Sequence, residues 1–254
     1  VFYLRPQQGY VNLQGFVDDI NAAIPKYPKK TSPPDNNDPP SQPPSGGGGS
    51  RSVSIGNIPA PVPVEEPENI QGFTDLSGYE WAVDAINTLV EKGIVNGTGD
   101  HKFEPQTNVT REQFVKMLIL AFNISILEGA DAPFGDCSLS DWSYRYIATA
   151  YKKGLVNGYG DTFGKTTSIT REDAAVLTYR FMQGALPAGE TLDFADKNEI
   201  SGYAVEAVSS MVSAGILKGQ GNGMFAPEFP AKRAEAAQIL KNALDVVKEL
   251  SDEK

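Results

Sequence analysis

The sequence has one cysteine, one histidine and two tryptophans among 254 residues. A lone Cys137 excludes an intrachain disulfide framework and a thiolate metal cluster, though exported bacterial proteins often avoid cysteine and no compartment follows from it. A lone His101 excludes a histidine-based catalytic triad and an imidazole zinc site. Cations are also scarce: 22 Lys and Arg stand against 32 Asp and Glu, a net charge of −10. Nucleic acid needs clustered Lys and Arg to displace phosphate counterions, and an anionic membrane surface needs the same, so neither is an expected partner. No apolar run approaches the ~18 residues of a membrane span, and no membrane insertion is expected. Residues 1–6 lack the basic start and apolar core of a signal peptide, which leaves two expectations: a removed leader, or a fragment that follows another module.

Proline and glycine are present in number, 18 and 25, but unevenly placed. Residues 1–30 hold one short helical pattern, Phe16, Ile20 and Ile24, in a segment too small to bury a core alone; its role is left open. Residues 31–69 read as a linker. Pro33-Pro34, Pro39-Pro40 and Pro43-Pro44 favour extended polyproline geometry, and 46–50 is a flexible Gly-Gly-Gly-Gly-Ser unit, natural or engineered.

From Phe73 a period appears. Phe73-Thr-Asp75, Phe134-Gly-Asp136 and Phe194-Ala-Asp196 open three units, set at 70–130, 131–190 and 191–254. Trp81, Trp142 and Tyr203 follow, then Gly93-Ile-Val-Asn-Gly97, Gly154-Leu-Val-Asn-Gly158 and Gly215-Ile-Leu-Lys-Gly219. Each unit closes on Thr110-Arg111-Glu112, Thr170-Arg171-Glu172 or Lys232-Arg233-Ala234-Glu235. The apolar spacing is helical in both halves: Trp81, Ala85, Leu89 and Val90, then Phe114, Met117, Leu118 and Ala121 in the first unit. Tyr146, Ala150 and Tyr151 with Ala174, Leu177 and Phe181 repeat it, as do Ala207, Val208 and Met211 with Ala236, Leu240 and Leu244. A helix–loop–helix unit cannot bury its stripe alone, so the three must pack together. The expected fold is all-α, three helix–loop–helix repeats in a pseudo-threefold cluster around a shared helical core.

These motifs resemble the S-layer homology domain, which occurs in threes at one end of bacterial surface proteins. The resemblance spans roughly residues 73–247. It implies non-covalent anchoring to the bacterial cell wall, outside the cell, through secondary cell-wall polysaccharide bound in grooves between repeats, commonly by a pyruvylated sugar. It also implies that the arginine of each Thr-Arg-Ala-Glu-like signature, here Arg111, Arg171 and Arg233, contacts the anion. Glu112 and Glu172 depart from the usual Ala, Gln113 and Asp173 from the usual Glu, Lys232 from Thr and Tyr203 from Trp. No enzyme, cofactor or metal is implied.

The chemistry suits such a ligand. Arg offers a planar fork of donors that matches a carboxylate. Thr110 with Gln113, and more weakly Thr170 with Asp173, have N-cap spacing, so the arginines fall in the first helical turn, where free N–H groups favour an anion. The alternative is structural: an ion pair with Asp75, Asp136 or Asp196, or with Glu112. Those three aspartates are expected to cap the first helix or orient an arginine. Trp81, Trp142 and Tyr203 either stack on a sugar or, the favoured reading on an apolar stripe, join the core. Gly93, Gly154 and Gly215 read first as left-handed helix stops and second as openings for ligand. The turns at 96–100 and 157–161 lack the dense carboxylates of a calcium loop, and 218–222 loses the acid. A rival functional class is a helical module that binds a surface protein or self-assembles into a lattice.

Overall fold

The computed structural model describes residues 72–182 and 185–252; the segment at 1–30 and the whole of the expected linker, 31–69, lie outside the described residues. The described chain forms six α-helices: α1 (Val83–Glu91), α2 (Arg111–Ala121), α3 (Tyr144–Lys152), α4 (Arg171–Phe181), α5 (Val205–Ser213) and α6 (Arg233–Asp252). Single 3-10 turns occur at Glu80–Ala82 and Lys197–Glu199. The first helix of each pair stops at Gly93, Gly154 or Gly215, with φ of +68°, +72° and +73°. That is the left-handed region where a side chain is strained, and glycine ends a helix there. The second helices start on caps: Thr110 Oγ1 accepts from the Gln113 backbone N–H while the Gln113 side chain accepts from the Thr110 N–H. At Thr170 only half of this is made: its Oγ1 accepts from the Asp173 backbone N–H at 3.1 Å.

The three second helices, α2, α4 and α6, pack on one another and form the centre of the cluster. Each also carries the first helix of the following repeat: α2 holds α3, α4 holds α5, and α6 closes the circle on α1. The packing unit is therefore offset from the sequence repeat. Phe114, Leu118, Leu177, Phe181 and Leu240 are almost wholly buried in the core, and the rings of Phe122 and Phe181 lie 6.1 Å apart.

Beside the core the backbone needs its own partners, because an unpaired buried amide is costly. The Val109 N–H donates to the Ala231 carbonyl at 3.0 Å, Ala231 to Ile169 at 2.9 Å, and Ile169 to Val109 at 2.9 Å. This closed ring of three bonds ties the repeats together with isolated bridges and, among the described residues, no strand.

Two expectations change. Trp81, Trp142 and Tyr203 do not join the core; they are 53%, 52% and 59% exposed. Each precedes its first helix proper, so helical phase does not carry it inward. Asp75, Asp136 and Asp196 cap a distant loop and not the first helix: Asp136 accepts from the Phe163, Gly164 and Lys165 N–H groups, Asp75 from Phe103 and Glu104, and Asp196 from Phe225 and Ala226. Burial pushes the Asp136 carboxyl up, but those N–H groups outweigh it and hold it below the ordinary aspartate value. Asp196 is lowered for the same balance of reasons, with Arg171 nearby adding to it. The second glycine of each pair lies under the matching Phe. A Cβ on Gly158 would stand 2.3 Å from the Phe134 ring and 2.5 Å from the Thr162 carbonyl.

Candidate functional site

The arginines that open α2, α4 and α6 do not look out from helix ends into solvent. Each reaches into the loop of the next repeat, in cyclic order. Arg111 Nη2 donates to the Asn157 carbonyl at 3.0 Å, Arg171 Nη2 to Lys218 at 3.0 Å, and Arg233 Nη2 to Asn96 at 2.8 Å. Each guanidinium also covers a ring from that loop: Phe163 at 5.0 Å, Phe225 at 5.1 Å and Phe103 at 4.5 Å. Arg171 and Arg233 add an Nε bond to the carbonyl of the same Phe, 2.8 Å in both cases. Burial lowers the pKa of both guanidiniums from the ordinary arginine value, with nearby acids opposing it.

The free helix-end N–H groups expected to favour an anion are already taken. Arg111 N–H donates to the Thr167 carbonyl, Arg171 to Phe229 and Arg233 to Thr107. The next N–H in each helix, from Glu112, Glu172 or Ala234, donates to Lys165, Pro227 or Pro105. What remains for an anion is the side chain.

Here the three sites part. Arg111 Nη1 lies 3.2 Å from Asp173 Oδ2, and Arg171 Nη1 lies 3.0 Å from Glu235 Oε1. These are ion pairs across repeats, with the third residue of the next second helix and not with the aspartates or the neighbouring Glu112 weighed from sequence. Asp173 also accepts from the Tyr159 and Tyr203 hydroxyls, and Glu235 from Gln220. Burial, followed by that bond to Asp173, pushes the Tyr159 phenol up to about 12. Ligand contact at Arg111 or Arg171 has to compete with an internal carboxylate. The corresponding residue facing Arg233 is Gln113, whose side chain is engaged in the Thr110 cap. Arg233 forms no ion pair with any described residue, and its Nη1 has no hydrogen-bond partner there.

Arg233 lines a groove of about 270 Å³ with Asn96, Gln113, Lys116, Met117 and Trp142. All three repeats contribute: Arg233 from the third, Trp142 from the second, and the rest from the first. Lys116 Nζ stands 5.7 Å from the Trp142 ring centre, a second cation beside an exposed aromatic face. Glu112 and Glu172 are buried supports outside the cation set. Glu112 accepts from the Ser143 hydroxyl at 2.5 Å, and Glu172 from Ser201 and Tyr203. Gly93, Gly154 and Gly215 have open space where a Cβ would stand.

Sequence reasoning found the arginines and Trp142 but missed Lys116, which has no cationic counterpart: Val176 and Gln238 stand at its place in the other copies. The useful signal is the third helical position: spacing marks Gln113 and Asp173 only as cap residues and gives Glu235 no role, whereas Asp173 and Glu235 are ion-pair partners.

Comparison with known proteins places this geometry. A family model described as S-layer homology domain matches residues 72–115, 133–175 and 193–237. An amylopullulanase of Thermoanaerobacterium thermosulfurigenes is 34% identical over 68% of this chain and 9% of its own length. Exoglucanase XynX of Acetivibrio thermocellus is 33% identical over 68% of this chain and 16% of its own. S-layer protein sap of Bacillus anthracis is 31% identical over 66% of this chain and 20% of its own. The chain thus spans a fifth or less of the length of each.

Proposed function

The chain belongs to the S-layer homology domain family, and from that premise we propose that it is a non-catalytic anchor holding a bacterial surface protein to the cell wall. Relatives named as S-layer proteins and as an amylopullulanase and an exoglucanase share this region as a small part of much longer chains, which supports a portable module. Among the described residues no helix is long and apolar enough to cross a membrane. In this reading residues 70–130, 131–190 and 191–254 form one anchor, with 31–69 as a spacer to a further module.

The ligand in this reading is secondary cell-wall polysaccharide bearing an acidic substituent, with a pyruvate ketal as the acid. The observation that carries this is Arg233: a half-buried guanidinium that forms no ion pair with any described residue, in one groove with Lys116 and Trp142. The carboxylate bonds Arg233 Nη1, Lys116 adds a second charge, and the sugar ring lies on the Trp142 face. A hydrogen bond to a charged group contributes about 1.5–3 kcal/mol, so all three contacts are needed for useful affinity.

The test is co-sedimentation of purified protein with cell-wall sacculi, intact and after removal of pyruvate. Binding that disappears with the pyruvate, and falls about tenfold or more in Arg233→Ala, is the expected result. Binding indifferent to both treatments favours the protein-partner or lattice reading.

A further inference from the structure

We propose that a cation outside the repeated signature selects which grooves accept an acid, and that Arg180 makes the first-to-second groove a second acid site. The inference rests on the anchoring reading and deepens it. The signature arginine is common to all three grooves, so it does not set them apart. The sixth and tenth residues of each second helix do: Lys116 and Leu120 in α2, Val176 and Arg180 in α4, Gln238 and Asn242 in α6. Both lie close to one face of their helix, one turn apart. Lys116 lines the groove of Arg233 together with Ile94, which shows where the sixth residue faces. Asn242 shows how far the tenth reaches: its Nδ2 donates to the carbonyl of Ile216, the counterpart of Ile94, at 3.1 Å. Gln238 Nε2 donates in turn to Asn242 Oδ1 at 2.7 Å. In the second-to-third groove both residues are thus neutral and bonded to each other.

In the first-to-second groove the tenth residue is Arg180. Helical side chains lean toward the N-terminus of their helix, which carries its guanidinium back toward Asp173 and Tyr203. Burial, and then the Arg111 charge, lower its pKa from the ordinary arginine value, and Asp173 and Tyr203 oppose them. Arg180 is half-buried, yet its guanidinium forms no ion pair or hydrogen bond with any described residue. Asp173 is engaged elsewhere, by Arg111 and by the Tyr159 and Tyr203 hydroxyls. A cation drawn out of water without a partner is costly, and a carboxylate entering the groove supplies that partner in the planar geometry a guanidinium matches. The ligand is of the class taken by Arg233 and Lys116, an acidic glycan substituent. Tyr203, 59% exposed, stands where Trp142 stands in that groove. One polymer is thereby held through acids at two grooves and meets neutral amides in the third, which raises its overall affinity through effective concentration.

Titration calorimetry with a methyl glycoside of a 4,6-pyruvylated hexosamine tests this on the full chain. The wild type is expected to take up about two equivalents, Arg180→Leu and Lys116→Val about one each, and Arg180→Lys about two because the charge is kept. Arg180→Leu removes no internal bond and installs the residue found at Leu120, and circular dichroism checks that each variant is folded. Unchanged uptake in Arg180→Leu, or about one or about three equivalents in the wild type, overturns the inference while anchoring stands. No uptake by the wild type overturns the acidic-ligand reading and this inference with it.

Discussion

Arg111 and Arg171 are each 6% exposed at the side chain and bonded to an acid of the next repeat, whereas Arg233 is bonded only to carbonyls. The same residue type at the same helical position therefore does different work. Breaking a buried pair leaves an uncompensated charge, so Arg111→Ala and Arg171→Ala are each expected to lower unfolding free energy by roughly 3 kcal/mol in urea titration. Arg233→Ala removes two neutral acceptors' bonds and should cost about half of that, while weakening wall binding most. If instead all three variants lose equal stability, the asymmetry of the grooves has no energetic counterpart. Glycine offers a second contrast. Gly154→Ala meets open space but a positive φ and should cost about 1 kcal/mol. Gly158→Ala forces a Cβ against Phe134 and the Thr162 carbonyl, at 2.3 Å and 2.5 Å, and should cost clearly more by thermal denaturation.

At the scale of the element, helix starts and stops were largely legible. Thr110 and Thr170 cap where their spacing with Gln113 and Asp173 places them, and the buried faces of α2 and α4 hold Phe114, Leu118, Ala174 and Leu177 as their periodicity requires. Thr110→Ala should therefore destabilise by about 1 kcal/mol and raise amide exchange in the first turn of α2. What periodicity does not carry is the fate of residues at the edge of a helix. Trp81 and Trp142 read as part of the stripe, but they sit before α1 and α3 begin and turn outward. Asp75, Asp136 and Asp196 serve loops some 28 to 30 residues away, and no local pattern marks a bond of that span. Their ionisation favours the folded state at Asp136 and Asp196, whose carboxyls are held below the usual range by backbone N–H groups against the opposing effect of burial. That contribution is complete above the ordinary aspartate value of roughly 3.9 and is lost as pH falls through the depressed folded values. The urea midpoint should fall in that acid window for the wild type and change less in Asp136→Asn; an identical pH profile would contradict this account.

Across the whole molecule the repeats form a closed circle in which α6 covers α1 and three backbone bonds join Val109, Ile169 and Ala231. Removing residues 191–254 uncovers α1 and breaks the ring, so the truncated chain is expected to lose cooperative unfolding altogether instead of leaving two folded repeats. A sharp two-repeat transition by calorimetry would show that the circle is dispensable. Sequence alone determined the threefold repeat, the all-α class, the caps and the family, because each is written in spacings shorter than one unit or in identities repeated at a fixed interval. Tertiary structure alone decided which arginine stays available. For Arg111 and Arg171 that depends on Asp173 and Glu235, about 60 positions further along, which come within hydrogen-bonding range only when each second helix docks into the following repeat.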